Sequence, residues 1–191
     1  RLAAATDRAA TDETEAALRR LGLAISKYWV CKRAPAHAAE ALECLGGNGY
    51  VEESGMPRLY RESPLNSIWE GSGNVAALDV LRAMAKQPTT VDALLGELDL
   101  AKGADRHLDL AVANLRVELS ERDSLPERAR RLVEKMALAF QGSLLVRHGN
   151  PAVADAFCAS RLGGDWGHAF GTLSSATDTA AILGHAFPKQ S

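Results

Sequence analysis

The sequence predicts an all-α fold, and three observations support this. Alanine and leucine are prominent, β-branched residues are sparse, and 47% of the 191 residues are hydrophobic against 24% charged. This composition is typical of a soluble, mostly helical protein. Apolar residues recur at steps of three and four, as they do on the buried face of a helix. Capping residues, glycines and prolines divide the chain between these stretches.

The first part of the chain predicts a short helix followed by a long one. Residues 1 to about 6 indicate the end of a helix, and the polar run 11–14 supplies capping residues for the next. The long helix is predicted from residue 15 to about 45, with Pro35 kinking it or dividing it in two. Gly46 and Gly47 end it. Its predicted apolar face comprises Leu18, Leu21, Ile25, Tyr28, Trp29, Ala38, Leu42 and Leu45.

A glycine-rich loop separates the long helix from a helix predicted over residues 74–86. The predicted buried side of that helix comprises Val75, Leu78, Leu81 and Met84. Residues 87–90 then divide the chain into two helical parts, 1–87 and 88–191. In the second part, Thr89 or Thr90 is expected to cap a helix from 91 to about 101, which Gly103 ends.

Three further helices are predicted toward the end of the chain, after one whose apolar face comprises Leu108, Val112, Leu115 and Leu119. Residues 124–127 form a capping-box pattern that begins a helix reaching about residue 147. Asn150 and Pro151 begin another, which ends near residue 163. A turn-rich aromatic stretch follows at 165–171, and Ser174 or Ser175 is expected to open a last helix to about 187.

Charge and cysteine usage limit the possible functions. The 22 basic and 24 acidic residues give a net charge of −2, so no general attraction to nucleic acid or anionic membrane is expected. Cys31, Cys44 and Cys158 form no CxxC pair, which indicates free thiols in a reducing compartment and no metal site. No long apolar run or signal-peptide pattern is found. We therefore expect a cytoplasmic protein without a membrane span, and, because the chain opens inside a helix without Met, a piece of a longer protein.

Residues 41–83 carry most of the functional information. Glycine clusters at 46–49, 54–55 and 71–73 allow positive φ or a close backbone approach to another group. Glu70 lies between Trp69 and Gly71, where a surface turn more often has Asn or Asp. The glycines at 47 and 49 resemble the start of a dinucleotide fingerprint, but no strand precedes them and Glu52 occupies the third glycine position. A lone loop glutamate is most often simply solvated, so the residues alone leave the role of Glu70 open.

Two motifs in this stretch carry a family resemblance. The run 43–50, ECLGGNGY, resembles a Gln-x-x-Gly-Gly-x-Gly-Tyr motif, and the run 69–72, WEGS, resembles the Tyr-Glu-Gly-Thr that follows it in the C-terminal helical domain of flavin-dependent acyl-CoA dehydrogenases. Residues 57–62 and 66–74, and an appended helical portion, are similar to the AidB-like branch of that superfamily, which is associated with the response to DNA alkylation. The resemblance implies that residues 1–87 are part of a C-terminal four-helix bundle and that residues 88–191 are an AidB-type extension.

The resemblance also implies roles for individual residues. Glu70 matches the base that takes the α-proton of an acyl-CoA thioester while a hydride leaves the β-carbon for flavin N5, and burial beside Trp69 and the glycines is expected to raise its basicity. Arg82 matches an arginine near this base, and we expect the two to pair. Trp69 lies at the substrate pocket, and its replacement of Tyr is expected to reshape that pocket. The expected FAD contacts are Glu43, Gly46, Gly47, Ser72 and Asn74.

The sequence departs from the family motifs at particular positions. Glu43 replaces the usual Gln and would bring a carboxylate near a phosphate, and Ser72 replaces Thr. Gly46 and Gly47 match positions where bare backbone approaches the flavin of a neighbouring subunit, so a homo-oligomer is implied. In AidB-like proteins, retention of the base does not by itself establish turnover of ordinary acyl-CoA.

The AidB-like resemblance also raises the question of DNA binding. Candidate DNA contacts are Arg128, Arg130, Arg131 and Lys135, which form a basic cluster in the appended part. Glu127 and Glu134 flank the cluster. A solvated helix face with ion pairs three and four residues apart is the commoner arrangement for such a pattern.

Three functions therefore remain as alternatives for the protein. The first is an FAD-dependent oxidoreductase acting on an acyl-CoA, of which this chain alone would be inactive and would not retain FAD. The second is a flavoprotein that associates with DNA and protects it from alkylation, with vestigial dehydrogenase activity. The third is a helical oligomerisation module, since the family's bundles pack as dimers of dimers.

Overall fold

A computed structural model describes residues 1–121 and 123–187 of the chain. Within these ranges the structure is all-α, as predicted, with one isolated bridge between Trp166 and Leu173. The α-helices are α1 (Leu2–Arg8), α2 (Glu13–Cys44), α3 (Gly47–Tyr50), α4 (Met56–Glu62), α5 (Gly73–Lys86), α6 (Thr89–Asp99), α7 (Arg106–Ser120), α8 (Leu125–His148), α9 (Pro151–Phe157) and α10 (Thr179–Ala186). Two 3-10 turns, Glu52–Ser54 and Ser63–Ser67, and a π-helical turn, Cys158–Leu162, complete the set.

The described chain forms two compact units. The bundle unit contains residues 2–91 and 123–134, and the extension unit contains Arg1 and residues 92–121 and 135–187. The domain division expected at residues 87 and 88 stays a prediction. None of the helices in the described ranges combines the length and apolar character needed to cross a bilayer.

Helix α2 is the centre of the bundle unit and contacts α1, α4, α5 and the 3-10 turn Ser63–Ser67. Its N-cap is Asp12, whose carboxylate accepts hydrogen bonds from the backbone N–H groups of Thr14 and Glu15. Helix α2 runs unbroken through Pro35, so the predicted division is wrong, and the alternative, a kink at Pro35, stays a prediction. Packing of α2 against its neighbours outweighs the single backbone hydrogen bond that Pro35 cannot donate.

The apolar face of α2 is buried only in its first half. Leu18, Leu21, Ile25 and Tyr28 are buried, as predicted. Further along, Ala38 and Leu42 are half-buried and Leu45 is 52% exposed. The second half of α2 therefore presents apolar positions that this chain does not cover.

Helix α5 begins within one residue of its predicted start, but its predicted buried side is wrong. The buried residues are small: Gly73, Ala76, Ala77, Val80 and Ala83. The larger residues lie at the edges of this face, and Val75 is 51% exposed. Small side chains on the contact face allow two helix backbones to approach closely, which the spacing of large apolar residues does not reveal.

The central stretch contains more helix than predicted. The segment expected to be a glycine-rich loop folds into α3, α4 and both 3-10 turns before α5 begins. Gly55, at φ 74°, joins the first 3-10 turn to α4. The predicted site residues of this stretch therefore lie on short helices and turns and at the start of α5.

Two predicted helix starts in the later part of the chain are wrong, and a third helix, α8, begins where predicted but without the predicted cap. Thr90 lies inside the first turn of α6, and its hydroxyl donates to the carbonyl of Gln87 at 2.8 Å instead of capping the helix. Ser124, before α8, has a φ of 58°, which is outside the extended region that an N-cap adopts. Helix α10 begins at Thr179 with Asp178 as its cap, several residues after the expected start.

The extension unit has a core contributed by α6 to α9. Leu108, Val112 and Leu115 of α7 are buried, as predicted, while Leu119 is half-buried. Asn150 caps α9 through the N–H of Ala152, as expected. The π-helical turn then continues the helical path to Leu162 and contacts α7.

Candidate functional site

Glu70 lies in the turn between the 3-10 turn Ser63–Ser67 and α5. Its φ is 54°, and in the described ranges only Ser124 shares this left-handed conformation among residues other than glycine. Gly71 follows with a φ of 109°. A residue with a Cβ rarely adopts positive φ, and such residues concentrate at functional sites. The backbone therefore marks Glu70 as a special position independently of any motif.

The surroundings of Glu70 differ from those expected. Glu70 is exposed, and Trp69 is 56% exposed. The expected burial of the carboxylate beside Trp69 is wrong for this chain, because Trp69 itself is not packed and the adjacent glycines have no side chains to cover Glu70. Any exclusion of water from the carboxylate has to come from outside this chain.

The expected ion pair between Glu70 and Arg82 is also wrong for this chain. Arg82 lies 3.5 Å from the carboxylate of Asp79, one turn earlier on α5. Within the described residues, Glu70 takes part in no ion pair. A helix rises about 1.5 Å per residue, so Arg82 lies roughly 14 Å along α5 from its first residue and cannot reach back to the turn.

Lysines of α2 support the Glu70 turn, and sequence reasoning missed them. The ammonium of Lys27 donates to the carbonyl oxygens of Trp69, at 3.0 Å, and of Asn66. The stem of Lys32 lies under Gly73, where an added Cβ would meet its Cδ at 2.9 Å. No motif marks either lysine. The available signal was a position beside the buried stripe of α2, which many surface lysines share.

The start of α5 offers unused hydrogen-bonding groups next to Glu70. Ser72 is the N-cap, with a ψ of 165°, but its side chain makes no capping hydrogen bond. Ser72 and Asn74 are exposed. Because the first N–H groups of a helix have no intrahelical acceptor, this end of α5 can bind a polar or anionic group.

The second group of predicted residues lies where α2 ends. Gly46 and Gly47 are exposed, and a Cβ added at either would meet nothing within 4 Å. Gly46 needs glycine for its φ of 58°, whereas Gly47 has no positive φ and no close neighbour. Glu43 is exposed and lines an open groove of about 800 Å³ with Tyr50 and Tyr60.

The predicted DNA contacts lie along α8. Arg130 and Arg131 are exposed, while Arg128 is half-buried and donates to the carbonyl of Asp123 at 3.3 Å. Lys135 forms an ion pair with Glu118 of α7, so part of the cluster's charge is neutralised. DNA contact through this cluster stays a prediction.

Other reactive groups in the described residues do not form a site. Cys158 is fully buried, and burial, with a smaller contribution from Asp105, raises the pKa of its thiol to about 12. A thiol with this pKa is a poor nucleophile near neutral pH. No group of three or more His, Cys, Asp or Glu side chains in the described ranges is arranged to hold a metal ion.

Comparisons with known proteins all indicate the same protein family. Residues 1–85 match the family described as the acyl-CoA dehydrogenase C-terminal domain. The chain is 45% identical, over 158 residues, to AidB of Escherichia coli (strain K12), whose name places it provisionally among the acyl-CoA dehydrogenases. This match covers 83% of the chain and 29% of AidB. Over 85 residues the chain is 38% identical to acyl-CoA dehydrogenase family member 11 of Caenorhabditis elegans, covering 44% of the chain and 14% of that protein.

A solved structure shows the same fold. The crystal structure of Caenorhabditis elegans ACDH-11 in complex with C11-CoA matches with a TM-score of 0.72 and 26% sequence identity. The match covers 84% of this chain and 32% of that one, so the chain spans about a third or less of the relatives it resembles. The chain belongs to the acyl-CoA dehydrogenase superfamily and is similar to its AidB-like branch.

Proposed function

We propose that this chain is the C-terminal part of an FAD-dependent oxidoreductase that introduces an α,β double bond into an acyl-CoA thioester, with Glu70 as the base. The observation that carries the proposal is the backbone at Glu70. A carboxylate held at a φ of 54° beside a glycine, directly before the start of a helix, is a costly arrangement for a residue without a function.

The relatives support the class of substrate. The curated relatives have names that place them among the acyl-CoA dehydrogenases, and the neighbour in the solved structure is complexed with an acyl-CoA. In the reaction, the carboxylate of Glu70 takes the α-proton as the α carbon–hydrogen bond breaks and the double bond forms. FAD, when bound, supplies the acceptor for the hydride that leaves the β-carbon.

The residues of this chain fit an FAD site at most of the predicted positions. Gly47 supports the fit, since neither its backbone conformation nor a neighbour within the chain explains a glycine there. Gly46 and Gly47 would offer bare backbone, while Ser72 and Asn74 would offer polar groups at the start of α5. Glu43 fits less well, because a carboxylate would repel a phosphate.

The chain's own residues supply only part of such a site. Glu70, Trp69 and Ser72 are all exposed. Excluding water from the base and closing the pocket over the acyl chain therefore falls to segments outside this chain. We accordingly propose that the isolated chain has no dehydrogenase activity and does not retain FAD.

The test uses the whole protein that contains this chain, and follows the loss of flavin absorbance on adding acyl-CoA. We expect Glu70→Gln to slow this bleaching by at least about 100-fold, the usual contribution of a positioned general base. Glu62→Gln is the control, because Glu62 is an exposed carboxylate of the same stretch that pairs with Arg58. Bleaching by Glu70→Gln at the wild-type rate would exclude Glu70 as the base.

A further inference from the structure

Lys27 of α2 holds the segment that leads directly into Glu70. Its ammonium donates to the carbonyl oxygens of Trp69, at 3.0 Å, and Asn66, and lies 3.7 Å from the sulfur of Cys31. An ammonium group has three donors, so these three acceptors use all of them. Within the described residues Lys27 forms no ion pair. Its ammonium group therefore interacts mainly with backbone carbonyl oxygens.

The bond to Trp69 acts on Glu70 through the peptide plane. The carbonyl of Trp69 and the N–H of Glu70 belong to one planar unit, so fixing the direction of this carbonyl also fixes the N–H of Glu70. Glu70 has a φ of 54°, a conformation that a residue with a Cβ leaves readily unless its neighbours hold it. Lys27 therefore constrains the peptide unit on which the orientation of Glu70 depends.

The 3-10 turn Ser63–Ser67 contacts α2, but little packing holds the residues between it and α5. Most residues from 64 to 70 are exposed, including Ile68 at 62% and Trp69 at 56%. Segments with few buried contacts open easily. The remaining constraints are backbone bonds local to the turn, such as those from the N–H groups of Ile68 and Trp69 to the carbonyl of Leu65, at 2.9 and 3.1 Å. Lys27 joins this turn to a long helix on which the neighbouring Ile25 and Tyr28 are buried.

We propose that Lys27 is a positioning residue for the base: it fixes residues 66–69 against α2 and so aims the carboxylate of Glu70 at the carbon it deprotonates. Lys27 acts through the turn and does not touch the substrate. The inference rests on the proposed function for the reaction. The effect of the hydrogen bonds from Lys27 to Asn66 and Trp69 can nevertheless be measured without any turnover.

The first measurement is hydrogen–deuterium exchange of residues 65–72 in the whole protein. Lys27→Met removes the donors and keeps the aliphatic stem, and we expect exchange in this segment to be at least about tenfold faster. Arg20→Met is the matched control, since Arg20 also lies on α2 and pairs with Asp79 of α5, at 2.9 Å, without touching the turn. It should leave exchange of the segment unchanged. Wild-type exchange in Lys27→Met would overturn the proposal whatever the activity.

The second measurement is flavin reduction by acyl-CoA. We expect Lys27→Met to lower the rate of reduction at least about tenfold while the dissociation constant of acyl-CoA stays within about twofold. Lys27→Arg should recover part of the rate, because guanidinium also donates but with a different geometry. If Lys27→Met does not fold, Lys27→Leu, which also removes the donors, replaces it in both measurements.

The outcomes separate this inference from the proposed function. Faster exchange with an unchanged reduction rate, in a protein that Glu70→Gln inactivates, would overturn the role of Lys27 and leave the proposed function standing. Full activity of Glu70→Gln would instead overturn the proposed function and, with it, the proposal that Lys27 orients a catalytic base. Faster exchange together with slower reduction would support both.

Discussion

At the scale of single residues, Gly47 and Gly49 are glycines for different reasons. A Cβ added at Gly49 would lie 2.1 Å from the carbonyl oxygen of Leu42, whereas a Cβ added at Gly47 would meet nothing within 4 Å. Gly49 is thus required by the fold of this chain. Gly47 is not, which is compatible with the proposed approach of a group from outside this chain.

Alanine substitution at these two positions should therefore give opposite results. We expect Gly49→Ala to lower the free energy of unfolding by about 1–3 kcal/mol, because the backbone of α2 cannot move away cheaply. Gly47→Ala should change it by less than about 0.5 kcal/mol. Urea unfolding of the chain followed by circular dichroism measures both. In the whole protein, Gly47→Ala should reduce the FAD bound per chain, and full FAD occupancy would contradict the role assigned to Gly47.

Single residues also show what the sequence can and cannot predict at this site. The motif around Glu70 located the turn correctly, because Glu70 and Gly71 have the positive φ angles that such a run allows. The Arg82 pair failed because Arg82 lies roughly 14 Å along α5 from its first residue, too far to reach back to the turn. Lys27 lies 42 residues from Trp69 in the chain, and a contact of this separation leaves no local pattern.

At the scale of helices, periodicity predicted the existence of α2, α5, α7 and α8 but not always which side is buried. The stripe of large residues on α7 faces the core, whereas on α5 the buried face consists of small ones. The difference arises from the helix against which each one packs. Close approach of α5 to α2 selects small side chains, and a pattern that counts large apolar residues cannot detect that choice.

A buried ion cluster joins helices within the extension unit and was missed from the sequence. The carboxylate of Glu97, on α6, accepts from Arg147 of α8 at 2.6 Å and from Arg1 at 2.8 Å. Its side chain is 5% exposed. Burial acts to raise the pKa of Glu97, but the hydrogen bonds and charges of Arg147 and Arg1 outweigh it and hold the pKa below the ordinary value of 4.5.

This cluster should make the extension unit sensitive to acid. A carboxyl whose pKa is lower in the folded than in the unfolded state adds to the free energy of unfolding. This contribution is fully present above about pH 4.5 and is lost as the pH falls through the pKa of the folded state. Urea unfolding near neutral pH and near pH 3.5 should show this loss. Glu97→Gln should be less stable than the wild type near neutral pH by about 3–5 kcal/mol, because it removes a buried carboxylate that accepts from Arg147 and Arg1. Its free energy of unfolding should also fall less on acidification.

Glu52 provides the control for the acid experiment. Arg61 also holds the pKa of Glu52 below its ordinary value, mainly through a hydrogen bond, but this pair is exposed. Glu52→Gln should therefore leave the acid response largely as in the wild type. An unchanged pH dependence in Glu97→Gln would show that other carboxylates cause the acid response.

At the scale of the whole molecule, the described chain leaves much apolar surface uncovered in and around the central stretch. The exposed large apolar side chains there are Leu45, Tyr50, Val51, Leu59, Tyr60, Leu65, Ile68, Trp69 and Val75. Soluble monomers rarely expose so many within one segment, and such surfaces mark contacts with other protein. The chain spans 29% of AidB, and further segments of a longer protein that contains this chain, or a second copy, would be able to cover them.

We expect the isolated chain to self-associate through this segment, because burying apolar surface is favourable by about 25 cal/mol per Å² and no other part of the protein is present to cover it. Sedimentation velocity should show a concentration-dependent rise in mass. Combining Leu59→Glu with Ile68→Glu should restore the monomer, since these side chains are 57% and 62% exposed. Leu110→Glu is the matched control, because Leu110 is 62% exposed but lies on α7 of the extension unit. A monomeric wild type would mean that the central stretch does not drive self-association. Dissociation by Leu110→Glu to the same extent as by the double variant would mean the same.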